Sequence, residues 1–525
     1  MLIIQAHLAT FDDDHRLLPG GRILVGDDGR IVAVLEAGEP LPAAFAAARS
    51  IAYDGFAYPG LIDSHNHIPY NTIGLWTIPT RPEPFVDHNE WTRPVLYNRQ
   101  ITAPQRLLGW AAGPSLLAYV ETKALLGGTT TIQGSGNPAA AAGVLARNLD
   151  SEHFSVGEDR YRVDTIVKRD VAGFDSVRAA MARGNGYIYH LAEGVDRPAM
   201  AAEWQLALDG GVIRERLMAI HGTGLSKAEL GKLAEVGATL VWSPFSNLWL
   251  YGGTADILTA RAKGLRLCLG SDWAPSGTRN VLGELKVASL WNQDPAAWYP
   301  PGAAVPPLPA APFADQDLCD MVTRNPGDAV ALVYGPQIGR IQAGYLADLI
   351  LVRARQADPY RNLIEAVEAD VELALVGGEA RCGTPDLVVA SGVKGTSVVA
   401  VAGSGGGHKR RVLIRNPKDP SKTMTWTAVL KRLKAVRRSP EVAEQEIALA
   451  LALAGAGGDS LFVVEGDMPF GDPGEGAFAG PAERPKTVPI PAIDPPWHDG
   501  AYFDAVDAHS YHRGLLSPLR RFYGF

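Results

Sequence analysis

Four apolar runs in this 525-residue chain stop at a side chain able to bind a cation. LIDSHNH closes on His65 and His67. Residues i and i+2 of a strand point to the same side, so two imidazoles at that spacing can grip one metal. YIYH ends in His190, LMAIH ends in His221, and LCLGSD ends in Asp272. An ionisable group directly after a buried run is costly unless it is paired or coordinated. A single example reads as a satisfied boundary residue, and His65-x-His67 alone reads equally as two exposed loop histidines. Four positions in order, each ending a strand-like run, point instead to a shared metal. Neutral imidazole and carboxylate suit Zn²⁺, and also Fe²⁺. A bound divalent cation lowers the pKa of its water from near 16 to roughly 7. Glu193 follows His190 by three residues, and beside such a set it could carry a proton from water to a leaving nitrogen. By itself it would be a solvated loop glutamate.

These groups converge only if their strands lie side by side. From Tyr58 onward, strand-like runs alternate with helical ones. The candidate strands are LIDSHNH (61–67), TTTIQ (129–133), DTIVK (164–168), YIYH (187–190), LMAIH (217–221), TLVWS (239–243) and LRLCLGSD (265–272). SVRAAMAR (176–183) and SKAELGKLAEVG (226–237) are candidate helices, the second opening on a Ser226/Glu229 capping box and closing at Gly237. Repeated strand-then-helix units predict a parallel α/β domain. Residues 58–335 have the length of a (β/α)₈ barrel, although pattern alone leaves a doubly wound sheet open. Residues 1–57 and 336–400 both read as short strands, with an Asp28-Gly29 hairpin signal, and predict one composite β-sandwich domain built from the two flanks.

Residues 401–525 are expected to form a C-terminal extension. Gly403-Ser404-Gly405-Gly406-Gly407 reads as a linker. Residues 409–438 hold eleven Lys/Arg against one acid, Asp419. Within them Trp426, Val429, Leu430, Leu433 and Val436 mark an amphipathic helix. An apolar helical stretch, EIALALALAG, and a Pro-rich arm at 468–497 follow. The basic helix could meet an acidic partner or nucleic acid, or could cover the barrel or a neighbouring subunit with its cations outward. A net charge of −8 favours cover, so no nucleic-acid partner is expected. A homo-oligomer is compatible with the sequence. Hydrophobic residues at 46% and charged residues at 20% fit a globular enzyme with a small-molecule substrate. Three scattered cysteines, Cys268, Cys319 and Cys382, fit a reducing compartment. The start of the chain is broken by Gln5 and His7 and followed by Asp12 to Asp14, which does not read as a leader, and no run reaches about 18 apolar residues. A cytoplasmic location without a membrane partner is the expectation.

PGLIDSHNH (59–67), GGTTTIQ (127–133), HLAE (190–193), HGTGLS (221–226), SPFSN (243–247), GSD (270–272) and GRIQAGYLADLILV (339–352) together resemble the amidohydrolase superfamily, in its branch of aminohydrolases and chlorohydrolases acting on purines, pyrimidines and triazines. The resemblance covers about residues 1–400. It implies a TIM-like barrel and one divalent metal held by His65, His67, His190 and Asp272. It makes Glu193 the proton shuttle and Asp272 a second proton acceptor. His221 would hydrogen-bond the water or the polarised substrate atom, or would serve as a ligand. Ser246 and Asn247 would shape the pocket floor. The implied reaction is hydrolysis of a C–N bond, such as deamination of a nitrogen heterocycle. Two alternatives remain on the same fold: a binuclear amidase or peptidase with carboxylated Lys168, and a non-catalytic scaffold. The stretch after Asp272 departs from the pattern. Trp273 is either a stacking wall for a planar substrate or packing. Arg279 either meets a substrate carboxylate or salt-bridges Glu284.

Overall fold

The computed structural model describes residues 1–134, 145–150, 154, 158, 160–165, 168–299, 311–401, 408–416, 419–443, 445 and 490–525. Four strands open the chain: β1 (Leu2–Ala9), β2 (Leu17–Val25), β3 (Ile31–Leu35) and β4 (Arg49–Pro59). Asp28-Gly29 lies in the β2–β3 turn, where Gly29 has φ +76°. Eight strands follow: β5 (Leu61–Asp63), β6 (Thr129–Ile132), β7 (Arg147–Asn148), β8 (Tyr161–Asp164), β9 (Gly186–Leu191), β10 (Leu217–His221), β11 (Thr239–Trp242) and β12 (Arg266–Leu269). The later flank adds β13 (Leu349–Arg353), β14 (Val371–Val376), β15 (Glu379–Gly383), β16 (Ser397–Val401) and β17 (His408–Val412).

The two flanks share a nine-stranded sheet, ordered β16-β17-β15-β14-β13-β4-β1-β2-β3. Its seam is the antiparallel pair of β4 and β13, with Leu349 opposite Pro59. The sheet does not stop at the expected boundary of residue 400. β17 pairs with β16 and β15, so the glycine run 403–407, which lies outside the described residues, joins two neighbouring antiparallel strands. The apolar stretch at 446–455 and the Pro-rich residues up to 489 also lie outside the described residues.

β5, β6 and β7 form a parallel three-stranded sheet, and β8 to β12 a parallel five-stranded one. They meet where Ser64 N donates to Leu269 O (3.2 Å) and Asp272 N donates to His65 O (2.9 Å). Both faces of the larger sheet are buried, as a parallel sheet requires. Ile188, Met218, Ile220, Val241 and Cys268 face one core; Tyr187, Tyr189, Ala219, Leu240 and Trp242 face another. Helices Asp175–Ala182 and Lys227–Glu235 fall where the sequence predicts them. Ser226 and Glu229 close the capping box, and Leu230 and Leu233 are buried. One strand is displaced from its expectation. β8 is YRVD, ending at Asp164, where 164–168 was expected. The apolar Thr165-Ile166-Val167 run drew the expectation, but residues 161–164 pair with 186–189, and 166–167 lie outside the described residues.

Helix Trp426–Arg438 buries Trp426, Val429, Leu433 and Val436. It packs on the long helix Ala103–Leu126, with the rings of Trp426 and Tyr119 stacked at 5.2 Å. Among the described residues, no helix is long and apolar enough to cross a membrane.

Candidate active site

β5, β9, β10 and β12 deliver His65 and His67, His190, His221, and Asp272 to one place. His65 Nε2 lies 3.1 Å from Asp272 Oδ1, and His67 Nε2 lies 3.4 Å from the same oxygen. The ligand atoms of His65, His67 and His190 lie within 4.8 Å of one another, as do those of His65, His221 and Asp272. All five side chains are buried. The backbone is bent to bring them in. His221 (φ 68°) and Asp272 (φ 59°) occupy the left-handed region, which costs roughly 1–3 kcal/mol for each such residue. Gly270 lets β12 approach β5, since a Cβ there would stand 2.4 Å from the His65 Cβ. Asp63 ties the two strand ends together: it accepts from Ser271 N (2.9 Å), Ser271 Oγ (2.5 Å) and Asn66 Nδ2 (2.9 Å).

The partners behind each ring fix its tautomer. Gln133 Oε1 accepts from Asn66 N, and Gln133 Nε2 donates to Asp150, so the amide orientation is settled. His65 Nδ1, at 3.2 Å from Gln133 Oε1, therefore carries the hydrogen and leaves Nε2 as a lone pair. His190 Nδ1 faces Glu193 Oε2 at 3.1 Å, with the same consequence. His221 is the reverse. Trp242 Nε1 donates to Thr254 Oγ1, and Thr254 Oγ1 donates to Asn247 Oδ1. Asn247 must then present its NH₂ to His221 Nδ1 (3.1 Å). His221 Nδ1 is an acceptor, and its Nε2 carries the hydrogen. Neither His190 Nε2 nor His221 Nε2 makes a hydrogen bond within the fold.

Glu193 is 3.6 Å from His221 Nε2. Burial opposes its charge, but the imidazoles of His221 and His88 and the hydrogen bonds from His190 and His88 outweigh burial, and the carboxyl is held well below its usual range. Burial likewise opposes the charge on Asp272, and His65, His221 and His67 overcome it. Burial holds His190 and His221 below the ordinary imidazole value. For His65 burial acts downward, yet the Asp272 carboxylate raises it.

The adjoining cavity is lined by Tyr70, His88, Trp91 and Trp273 together with His67, His190, Glu193 and Asp272. Trp273 is thus at the cavity, stacked on Trp91 at 5.1 Å and edge-on to Tyr70. Ser246 bonds Ser276 Oγ (2.8 Å), and Asn247 acts on His221. Arg279 is neither of the things expected of it. Glu284 instead bonds Phe245 N and Thr278 Oγ1, while Arg279 is taken by Asp494 (2.7 and 2.9 Å) and Asp499 (3.1 Å). Partners more than 200 residues away outcompete the acid five residues away, because the tail folds back over this wall. Lys168 is paired with Asp164 at 2.8 Å.

Sequence reasoning missed His88, Tyr251 as a partner of Glu193, Gln133 and Asp63. His88 sits in VDHNEWT, where no apolar run ends, so the signal that found the other histidines was absent.

An Amidohydrolase family model matches residues 174–394. The chain is 33% identical over 183 residues to a 5-methylthioadenosine/S-adenosylhomocysteine deaminase of Pyrococcus furiosus, covering 33% of this chain and 40% of that protein. It is 26% identical over 432 residues to the enzyme of the same name from Syntrophobacter fumaroxidans, covering 72% and 92%. The chain therefore spans about two fifths of the first relative and most of the second. Among solved structures, an atrazine chlorohydrolase of Arthrobacter aurescens complexed with zinc and atraton superposes with a TM-score of 0.57 at 21% identity, over 72% of this chain and 95% of that one. An adenosine deaminase of Xanthomonas campestris with bound zinc gives 0.55 at 22%, over 72% and 92%. At such identity these two likenesses speak for the fold.

Proposed function

We propose, from the premise that the chain belongs to the amidohydrolase family, that it is a metal-dependent hydrolase of a carbon–nitrogen bond, most simply a deaminase of a nitrogen heterocycle. The observation that carries this reading is the opposite tautomers of the histidines. His65 and His190 turn lone pairs inward, whereas His221 turns an N–H inward. Two buried lone pairs and a carboxylate are a donor set for a cation. A buried N–H beside them is what a polarised substrate atom or an attacking water needs.

His65, His67, His190 and Asp272 would hold one divalent metal. Zn²⁺ fits best, because the donor set is imidazole and carboxylate and the similar structures contain zinc. When bound, the metal supplies Lewis acidity that brings the ionisation of water toward neutral pH. His221 Nε2–H then donates to the reacting centre. Asp272 takes the first proton from the attacking water. Glu193, ionised at rest, takes the second proton of the water and delivers it to the departing nitrogen, while the proton on Asp272 passes to the ring nitrogen. Water adds to the sp² carbon, the C–N bond breaks, and ammonia leaves with the ring now bearing a carbonyl. Trp273 and Trp91 offer the planar wall for the ring.

The eight parallel strands β5 to β12 are read here as one (β/α)₈ barrel within 58–335, and the nine-stranded sheet as the companion β-domain assembled from both ends. The test of function is ammonia release. Purified, metal-loaded protein is assayed across aminopurines, aminopyrimidines, aminotriazines and N-acyl compounds, with metal counted per chain. About one metal per chain and turnover of at least one class are expected. Glu193→Gln should keep the metal and lose about 10²–10⁴-fold in kcat. A chain that binds no metal, or a Glu193→Gln variant with full activity, sinks the reading.

A further inference from the structure

Glu193 is gripped at both carboxylate oxygens by residues that the family motifs quoted above do not include. Oε1 accepts from the Tyr251 hydroxyl at 2.7 Å, and that hydroxyl accepts from Trp91 Nε1 at 2.9 Å. Oε2 accepts from His88 Nδ1 at 2.9 Å. His88, Trp91, Glu193 and Tyr251 are all buried. A glutamate on a loop otherwise has three rotatable bonds, and holding it in one rotamer costs roughly 1–2 kcal/mol of entropy.

The segment that brings His88 in is itself pinned to the shuttle loop. His88 N donates to Glu193 O (3.1 Å), Val195 N donates to Val86 O (2.7 Å), and Phe85 N donates to Leu250 O (2.9 Å). Asp87 caps the short helix His88–Thr92 through Glu90 N. Gly194 permits this contact, because a Cβ there would come within 2.6 Å of Val86 O. Two elements separated from Glu193 by 105 and 58 residues thus end on its two oxygens. A buried acid that needed only neutralising would be served by one of them.

We propose that His88 and Tyr251 are positioning residues for Glu193, fixing the carboxylate in the orientation from which it protonates the leaving nitrogen. This rests on the function proposed above. It separates the shuttle's job from the rest of the reaction. Ammonia cannot leave without a proton. Chloride, a very weak base, can.

The experiment compares two substrates of one ring, bearing an amino or a chloro leaving group, in wild type and in His88→Phe, His88→Asn and Tyr251→Phe. With the amino substrate, His88→Phe and Tyr251→Phe should lose about 10–100-fold in kcat, with KM within about twofold. With the chloro substrate the loss should stay under about threefold. Asparagine can offer an N–H near the place of Nδ1, so His88→Asn should recover most of the amino-substrate rate. Metal content should not change. Equal losses on both substrates, or no loss on either, overturn the clamp while wild-type turnover leaves the proposed function standing. Wild-type protein that hydrolyses neither leaving group overturns both. Should His88→Phe fail to fold, Tyr251→Phe, which deletes a single oxygen, gives the same readout.

Discussion

Two regions bury an unusual density of ionisable groups, and they resolve that burden in opposite ways. In the first, the C-terminal segment reaches back into the α/β body. Asp494 accepts from Lys123 (2.6 Å) and from two nitrogens of Arg279, and Asp499 takes a third Arg279 nitrogen. His498 Nδ1 meets Glu368 at 2.6 Å, Asn280 donates to the same oxygen, and His498 Nε2 accepts from Arg279 N. Lys123 and Arg279 each have an anion, and every named donor an acceptor. In the second region, at the ends of β5, β9, β10 and β12, the nitrogens of His190 and His221 that face the centre bond nothing in the fold. Burying a polar group without a partner costs about 1–3 kcal/mol. A cluster that is complete in itself is a clasp. One whose members are oriented by outer partners and left open inward is built for something else.

The widest separation between the two should come from removing one carboxylate from each. Asp272→Ala should take the metal content toward zero and cut turnover by about 10⁴-fold or more, equivalent to about 5 kcal/mol, with little change in the unfolding midpoint. Asp494→Ala should do the reverse. It strands Lys123 and Arg279 in the interior, where breaking a buried pair costs about 3–5 kcal/mol, and it should lower the denaturation midpoint while the folded fraction keeps its metal. Metal analysis and denaturant titration on both variants decide the matter. If Asp494→Ala loses metal as Asp272→Ala does, the regions are one unit and the distinction fails.

The first region was almost invisible in the sequence, and the second was not. His65, His67, His190, His221 and Asp272 announce themselves because each interrupts a run that is otherwise apolar, and a strand end fixes where the side chain goes. Tyr251 and His88 carry no such mark: one is the last residue of the helix Pro244–Tyr251, the other sits among polar ones. Asp494 was hidden altogether. It lies in a Pro-rich stretch whose docking depends on contacts 371 and 215 residues away. Arg279 was misassigned for the same reason, since proximity in sequence suggested Glu284 and folding supplied Asp494. β8 was placed too late because hydrophobicity outweighed alternation. The alternation of strands and helices in the middle of the chain was legible from pattern, whereas the order β16-β17-β15-β14-β13-β4-β1-β2-β3 was not. Nor were side-chain partners across long separations.

Turning the tautomer of one ring should sharpen the contrast further. Asn247→Asp replaces the NH₂ that faces His221 Nδ1 with an oxygen. His221 must then carry its hydrogen on Nδ1 and point a lone pair inward, like His65 and His190. The donor to the reacting centre is lost, and kcat should fall by about 10²-fold, or about 2.7 kcal/mol. Metal affinity should hold or rise, because the ring has become a further lone pair. An Asn247→Asp enzyme with unaltered kcat would show that the inward N–H has no part in turnover.

The smallest expected effect concerns a group between the two regions. Glu284 is fully buried, and burial raises its pKa to about 8 despite the bond from Phe245 N. The hydrogen count agrees. Thr278 Oγ1 lies 3.0 Å from Asn280 O, which can only accept, and so the single hydroxyl hydrogen is committed there. The hydrogen between Thr278 and Glu284 at 2.7 Å must come from the acid. A carboxyl whose folded pKa is raised binds its proton more tightly in the folded state. Its contribution is complete below the unfolded value of 4.5, declines as pH rises, and is gone above about 8. Glu284→Gln keeps an oxygen for Phe245 N and a permanent N–H for Thr278. Relative to wild type it should gain about 1–2 kcal/mol between pH 5 and pH 9, an allowance well below the full linkage value because a buried acid relaxes as it ionises. Denaturant unfolding at several pH values reads the difference directly. Parallel wild-type and Glu284→Gln curves would mean that Glu284 is already ionised at low pH. The region around it would then hold an open charge, and completeness would no longer distinguish the clasp from the site.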